Sequence, residues 1–208
     1  MNDDGASGEI HGTGTRPPRM GFFGGSFDPP HRGHLELGRR AVETAGLERL
    51  WYVPAARNPH KEAGPQAPGE VRVAMLEAAI GGDPRLGVLE WELKRPPPSR
   101  TVETVCHLRT RFSGHQLCWL IGADQLAGLP RWHRIDELVR EVVFLVLERP
   151  GSDRRVPKLA GLRLEWVPAP AIEASSTEVR RRLAEGLPVD NLVPASVLEV
   201  ILRHPSLY

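Results

Sequence analysis

The stretch Met20-Gly-Phe-Phe-Gly-Gly-Ser-Phe-Asp-Pro-Pro-His-Arg-Gly-His-Leu35 reads as a strand, a loop and the start of a helix. A short apolar run ends in Gly24-Gly25, a turn follows, Pro29-Pro30 fixes the backbone, and an amphipathic pattern begins near His31 to His34. Glycine lets backbone approach a ligand closely, and the unpaired N–H groups of a helix start attract anions. His31 and His34 stand three apart, so their rings project to roughly the same side as those amides. The stretch is suited to holding phosphate. Two histidines fall short of a closed zinc site, and no Cys or third His lies at ligand spacing nearby, so no resident metal is expected. Asp28, before a proline, reads as structural, closing a turn by bonding its own downstream amides.

Working outward, His34 to Ala45 carries Leu35, Ala41, Val42 and Ala45 on one face, with Gly46 as the stop. Leu50 to Val53 reads as a second strand ended by Pro54, so the unit is strand, helix, strand, with a right-handed crossover and parallel pairing. Arg57 to Gly69, containing Asn58-Pro59-His60-Lys61, is a loop at a strand end and reads equally as a substrate loop or a solvated connection. A helix is expected over Glu70 to Ile80, with Val71, Ala74, Met75 and Ala78 on one side, then a strand over Leu86 to Leu93. After Lys94-Arg95-Pro96-Pro97-Pro98-Ser99, a helix over Thr101 to Phe112 buries Val102, Val105, Leu108 and Phe112.

Leu117 to Ile121 and Val142 to Leu147 are continuous apolar runs, the pattern of strands covered on both faces. Each is followed by polar residues, Gly122-Ala123-Asp124 and Glu148-Arg149-Pro150-Gly151, and open parallel sheets bind ligands at such strand ends. Leu162 to Val167 is a weaker last strand. Strands alternating with helices predict an α/β, Rossmann-like, doubly wound parallel sheet, with a small C-terminal helical region over about 175–208.

That region opens with Ser175-Ser176-Thr177-Glu178-Val179-Arg180. Ser175 and Glu178 match a capping box, which alone accounts for both. Ser176 and Arg180 share a face beside the free amides, a second arrangement that suits phosphate. Arg181 and Arg182 read as a solvated face.

The chain has 208 residues and a net charge of +1. That length fits one domain, taken as 19–208 behind a disordered tail over 1–18. A near-neutral balance without long single-sign blocks gives no electrostatic reason to expect nucleic acid or a membrane surface as partner. No apolar run approaches a membrane span. Cys106 and Cys118, without a signal peptide, suggest a reducing cytoplasm, and both are expected in the core.

Gly24-Gly-Ser-Phe-Asp-Pro-Pro-His-x-Gly-His34, taken with Ser175-Ser-Thr-x-x-Arg180, resembles the nucleotidyltransferase superfamily of adenylyltransferases, and above all the bacterial nicotinate-nucleotide adenylyltransferases. Smaller matches extend the likeness over nearly the whole chain from Met20: Asn58 to Lys61, Glu92 to Arg95, Pro98-Ser99, Ile121 to Asp124, Leu129-Pro130-x-Trp132 and Arg149 to Gly151. The resemblance implies transfer of AMP from ATP to nicotinate mononucleotide, with Mg²⁺ travelling on ATP. It implies that His31, His34 and Arg180 are catalytic, His31 and His34 neutralising the triphosphate and Ser176 with Arg180 gripping its outer phosphates. Gly24, Gly25, Ser26 and Gly33 would meet ATP, as would Gly122 and Asp124, the latter at the nucleotide sugar.

The other substrate would meet Asn58, Lys61, Arg100, Thr101, Trp132 and Arg149. Trp132 matches a residue that stacks on the pyridine ring, though packing is its other reading, and Arg149 either touches phosphate or caps the sheet. The family commonly has Pro-Ser-Tyr-Thr where this chain has Pro98-Ser99-Arg100-Thr101, which leaves the choice between acid and amide open. A monomer or small homo-oligomer is expected. The competing readings are a pantetheine-phosphate or nicotinamide-mononucleotide adenylyltransferase and a nucleotide-binding module without turnover.

Overall fold

β1 (Arg19–Gly25) lies inside a six-stranded, all-parallel sheet, flanked by β2 (Arg49–Pro54) and β4 (Gln116–Gly122). β3 (Leu86–Val88) extends the sheet beyond β2, and β5 (Val142–Glu148) and β6 (Leu164–Pro168) extend it beyond β4, giving the order β3-β2-β1-β4-β5-β6. The computed structural model describes residues 17–59, 64–148, 151–170 and 174–208. Most of the expected tail, together with Lys61 and Arg149, lies outside the described residues.

Alternation along each strand divides the core between the two faces. On one face Phe23, Tyr52, Leu120 and Leu145 pack with α1 (Arg32–Thr44), α2 (Gly69–Ile80) and α6 (Ala195–Leu202), through residues such as Leu35, Met75 and Ile201. On the other, Phe22, Trp119, Ile121 and Phe144 pack with α3 (Thr101–Arg111) and α4 (Ile135–Glu141), through Val105, Leu108 and Leu138. Burying such side chains stabilises the fold by roughly 1.5–3 kcal/mol each. No helix among the described residues is long and apolar enough to cross a membrane.

Several expectations are corrected. The strand foreseen over Leu86 to Leu93 stops at Val88, and Glu90–Lys94 is a 3₁₀ helix that turns Glu92 inward. Helix α2 buries Val71, Arg72, Val73, Met75, Leu76, Ala79 and Ile80 while Ala74 is exposed, because α2 is covered on more than one side. Cys118 is buried, but Cys106 is on the outer face of α3, its thiol donating toward Glu137 Oε1 at 3.5 Å. The polar segment after β4 is a 3₁₀ helix, Ala123–Arg131, leading into α4.

The strand order reverses between β1 and β4, and in doubly wound sheets the crevice beyond the strand carboxyl ends at this reversal is where ligands bind. Gly24 and Gly25 end β1 there. Their side-chain positions are taken by rings: a Cβ on Gly24 would approach Trp119 to 2.8 Å, and one on Gly25 would approach Phe27 to 2.9 Å. Glycine is thus required at both positions by close packing.

Candidate active site

The loop after β1 turns sharply at Phe27, whose φ of 49° lies in the left-handed region that side chains avoid. The ring is almost wholly buried, edge-on to Phe23 at 5.7 Å, to His34 at 4.9 Å and to Tyr52 at 5.6 Å between centroids. That packing holds a conformation whose backbone cost is on the order of 1–2 kcal/mol. On either side of this turn Ser26 and Asp28 both line the crevice, Asp28 almost wholly buried.

His31 and His34 do project to the same side, their rings stacked with centroids 3.7 Å apart. Their positions differ. His34 lines the main cleft, whereas His31 is buried behind it as the residue preceding α1. The His31 backbone N–H donates to His34 Nδ1 at 3.3 Å. With Nδ1 accepting, a neutral His34 ring carries its proton on Nε2, so it presents a donor. The Tyr52 hydroxyl donates to the His34 carbonyl at 3.2 Å, and burial pushes its pKa well up, so it remains a donor.

Helix α5 (Ser176–Ala184) meets this loop from the opposite side. Ser175 caps it, its Oγ accepting from the Glu178 N–H at 3.1 Å. The Glu178 carboxylate turns to Arg181 and Arg182, rather than completing the expected capping box, and those bonds lower its pKa to about 2. Ser176 Oγ donates to the Pro29 carbonyl at 2.9 Å, and Arg180 Nη1 donates to the Asp28 carbonyl at 2.6 Å. Both phosphate motifs of the sequence therefore meet at a single loop.

Asp28 is structural by a different route from the one expected. Its carboxylate bonds amides far along the chain, accepting from Gln66 N at 2.7 Å and Ala67 N at 3.1 Å.

Two cavities open at the β1–β4 reversal. The larger, of about 800 Å³, is lined by Gly24, Gly25, Ser26, His34, Gly122, Asp124, Ser176 and Arg180 among others. The smaller is lined by Ser99, Arg100, Thr101, His133 and Glu92. Gly24, Gly25, Asn58, Gln125 and Trp132 line both. Gly33 does not line either; it is buried in the first turn of α1.

The smaller cavity is built around the start of α3, whose first turn presents backbone N–H groups suited to a carboxylate. Arg100, immediately before it, faces His133 Nε2 at 3.2 Å and Glu103 Oε1 at 3.7 Å. Trp132 is half-buried and meets Phe144 edge-on at 6.4 Å, so packing and a ligand-facing position coexist. Glu92 is buried and accepts from Thr104 Oγ1 at 2.6 Å; burial raises its pKa despite bonds from Thr104 and Ser99. Ser99 Oγ in turn accepts from Ala56 N at 2.9 Å, tying this wall to the end of β2.

Sequence reasoning missed Glu92, Gln125, Arg131 and His133 as cavity-lining residues. Gln125 and Arg131 lie on the 3₁₀ helix after β4, which carries no long apolar periodicity to announce it. Among the described residues, no group of three or more His, Cys, Asp or Glu could hold a metal ion.

The chain is similar to several known proteins. A cytidylyltransferase-like family model matches residues 22–182. A nicotinate-nucleotide adenylyltransferase of Bacillus subtilis is 36% identical over 183 residues, covering 88% of this chain and 95% of that protein. A Bacillus pumilus protein described as a probable nicotinate-nucleotide adenylyltransferase is 38% identical, covering 89% and 96% respectively. In fold, the chain is similar to a Plasmodium falciparum nicotinic acid mononucleotide adenylyltransferase complexed with NaAD. The TM-score is 0.72 at 16% identity, over 92% of this chain and 98% of that one.

Proposed function

This chain belongs to the nicotinate-nucleotide adenylyltransferase family, and from that premise we propose that it transfers AMP from ATP to nicotinate mononucleotide, forming nicotinate adenine dinucleotide and releasing pyrophosphate. The observation that carries the reading is the pair of cavities sharing Gly24 and Gly25, which lets two nucleotides meet phosphate to phosphate at the end of β1.

ATP occupies the larger cavity. Its triphosphate runs past Gly24, Gly25 and Ser26 to His34, Ser176 and Arg180, with His31 stacked behind His34 and Gly33 in the helix start. Its ribose lies toward Gly122 and Asp124. Nicotinate mononucleotide occupies the smaller cavity, its ring against Trp132 and its carboxylate at the Arg100–Thr101 helix start. Asn58 lies where both nucleotides meet; Lys61 and Arg149 complete the proposed set.

A phosphate monoester has its second pKa near 6, so the nucleophile is largely ionised at neutral pH and no general base is needed. The nucleophilic phosphate oxygen attacks the α-phosphorus, a new P–O bond forms, and the bond to the β-phosphate oxygen breaks. The protein supplies alignment and stabilises charge growing on the leaving pyrophosphate. His34 Nε2 and the Arg180 guanidinium are the donors placed for that charge. Mg²⁺ arrives as part of the nucleotide, on phosphate oxygens and water, which requires no carboxylate cage. We place the activity in the cytoplasm, with residues 19–208 acting as one unit, as a monomer or small homo-oligomer.

The test is to incubate the purified protein with MgATP and nicotinate mononucleotide and identify the products by mass. One dinucleotide and one pyrophosphate per turnover are expected; ATP consumption without a dinucleotide would overturn the reading.

A further inference from the structure

The Tyr208 hydroxyl, beyond α6, donates to Asp28 Oδ1 at 2.7 Å across 180 positions of sequence. Leu207 and Tyr208 pack against the core cluster of α1, α2 and α6, so this segment folds back beside the β1 loop. The same Asp28 carboxylate accepts the Gln66 and Ala67 amides and lies 4.0 Å from Arg180 Nη1.

A buried arginine completes the arrangement. Arg72, on α2, donates from Nη1 to the Ser26 carbonyl at 2.7 Å and the Ala55 carbonyl at 2.8 Å, and from Nε to the Ala67 carbonyl at 3.1 Å. It thereby clamps the loops that leave β1 and β2 and sets a fixed positive charge behind them. Burial lowers its pKa, an effect opposed by the charge of Asp28 and by Tyr208.

Asp28 lines the cleft proposed to receive a triphosphate. An acidic group there is a hazard: left unsatisfied, it repels phosphate and competes for Arg180. We propose that Tyr208 is a positioning residue for nucleotide binding: its hydroxyl bonds Oδ1 of Asp28 and draws charge from the carboxylate whose Oδ2 faces Arg180, so that the guanidinium is held less tightly by Asp28 and stays available to phosphate. The proposal rests on the adenylyltransferase reading above. Burial and the bond to Asp28 both raise the Tyr208 pKa, so the hydroxyl keeps the proton it donates.

The experiment compares wild type, Tyr208→Phe and Leu207→Ala. Pyrophosphate release gives KM for ATP and kcat, calorimetry gives MgATP affinity, and Tm is recorded for each. Losing a hydrogen bond to a charged group predicts an ATP KM and Kd about tenfold higher in Tyr208→Phe, with kcat within about threefold of wild type. Leu207→Ala removes packing from the same segment and is expected to lower Tm without raising the ATP KM. An unchanged ATP Kd in Tyr208→Phe overturns the proposal, as does an equal rise in Leu207→Ala, which would mean simple packing. Calorimetry needs no turnover, so a failed reaction assignment and a failed role for Tyr208 give different results.

Discussion

Ser176 Oγ and the Pro29 carbonyl, 147 positions apart in sequence, are joined by a 2.9 Å hydrogen bond that brings the start of α5 onto the loop after β1. Arg180 repeats the contact one turn later through the Asp28 carbonyl. Both side chains line the cleft, so the bonds that assemble the fold also set the spacing of the groups proposed to face phosphate.

Arg180→Lys should therefore fail as a conservative change. Lysine keeps the charge but cannot both bond the Asp28 carbonyl and offer a planar fork to phosphate. We expect kcat/KM for ATP to fall at least about tenfold, the scale of one charge-assisted hydrogen bond. Steady-state kinetics at fixed ionic strength check this.

His34→Ala removes the donor proposed to serve the leaving group. Loss of one such donor typically costs about 10²–10³ in kcat, and that is the expected loss here. His34 also meets the Phe27 ring edge-on, so a modest fall in Tm should accompany it. A variant that keeps kcat would remove His34 from the mechanism.

Arg100 stands at the helix start proposed to take the pyridine carboxylate. Arg100→Ala should lower the preference for nicotinate over nicotinamide mononucleotide by about tenfold while leaving ATP binding unchanged. The ratio of kcat/KM values for the two mononucleotides reads this directly.

Glu92 gives a pH signature. Burial raises its pKa above the unfolded value, so the folded state holds a proton that the unfolded state releases. The contribution is present in full below the ordinary carboxylate range and is lost as pH rises through the raised folded pKa. Glu178 acts in the opposite sense. Its pKa is lowered to about 2 by Arg181 and Arg182, so its contribution is present above pH 4.5 and is lost as pH falls through about 2. Denaturant titrations across pH should show that Glu92→Gln removes a decline in stability toward neutral pH, whereas Glu178→Gln removes part of the acid-side loss. High salt should weaken the Glu178 effect, because that group is solvent-exposed.

The central strands were legible because parallel strands covered on both faces are apolar without interruption, as in Val142 to Leu147, and because Gly24-Gly25 and Gly46 punctuate the first unit. That Ser176 and Arg180 share one face was legible, since helical spacing is local information, and both line the cleft. Short 3₁₀ segments at 90–94 and 123–131 were not, and they carry Glu92, Gln125 and Arg131. Burial of α2 on more than one side erased the one-sided stripe that led Ala74 to be placed inside. The partners of Asp28 could not be read either: Gln66, Ala67 and Tyr208 reach it through tertiary packing, and no spacing rule connects them.

The most direct measurement is the initial rate of pyrophosphate release from MgATP with nicotinate mononucleotide, nicotinamide mononucleotide or phosphopantetheine offered separately. The account predicts rapid release with the first, slower release with the second and none with the third. Measurable ATP binding with no release from any of the three would contradict it and leave a nucleotide-binding module without turnover.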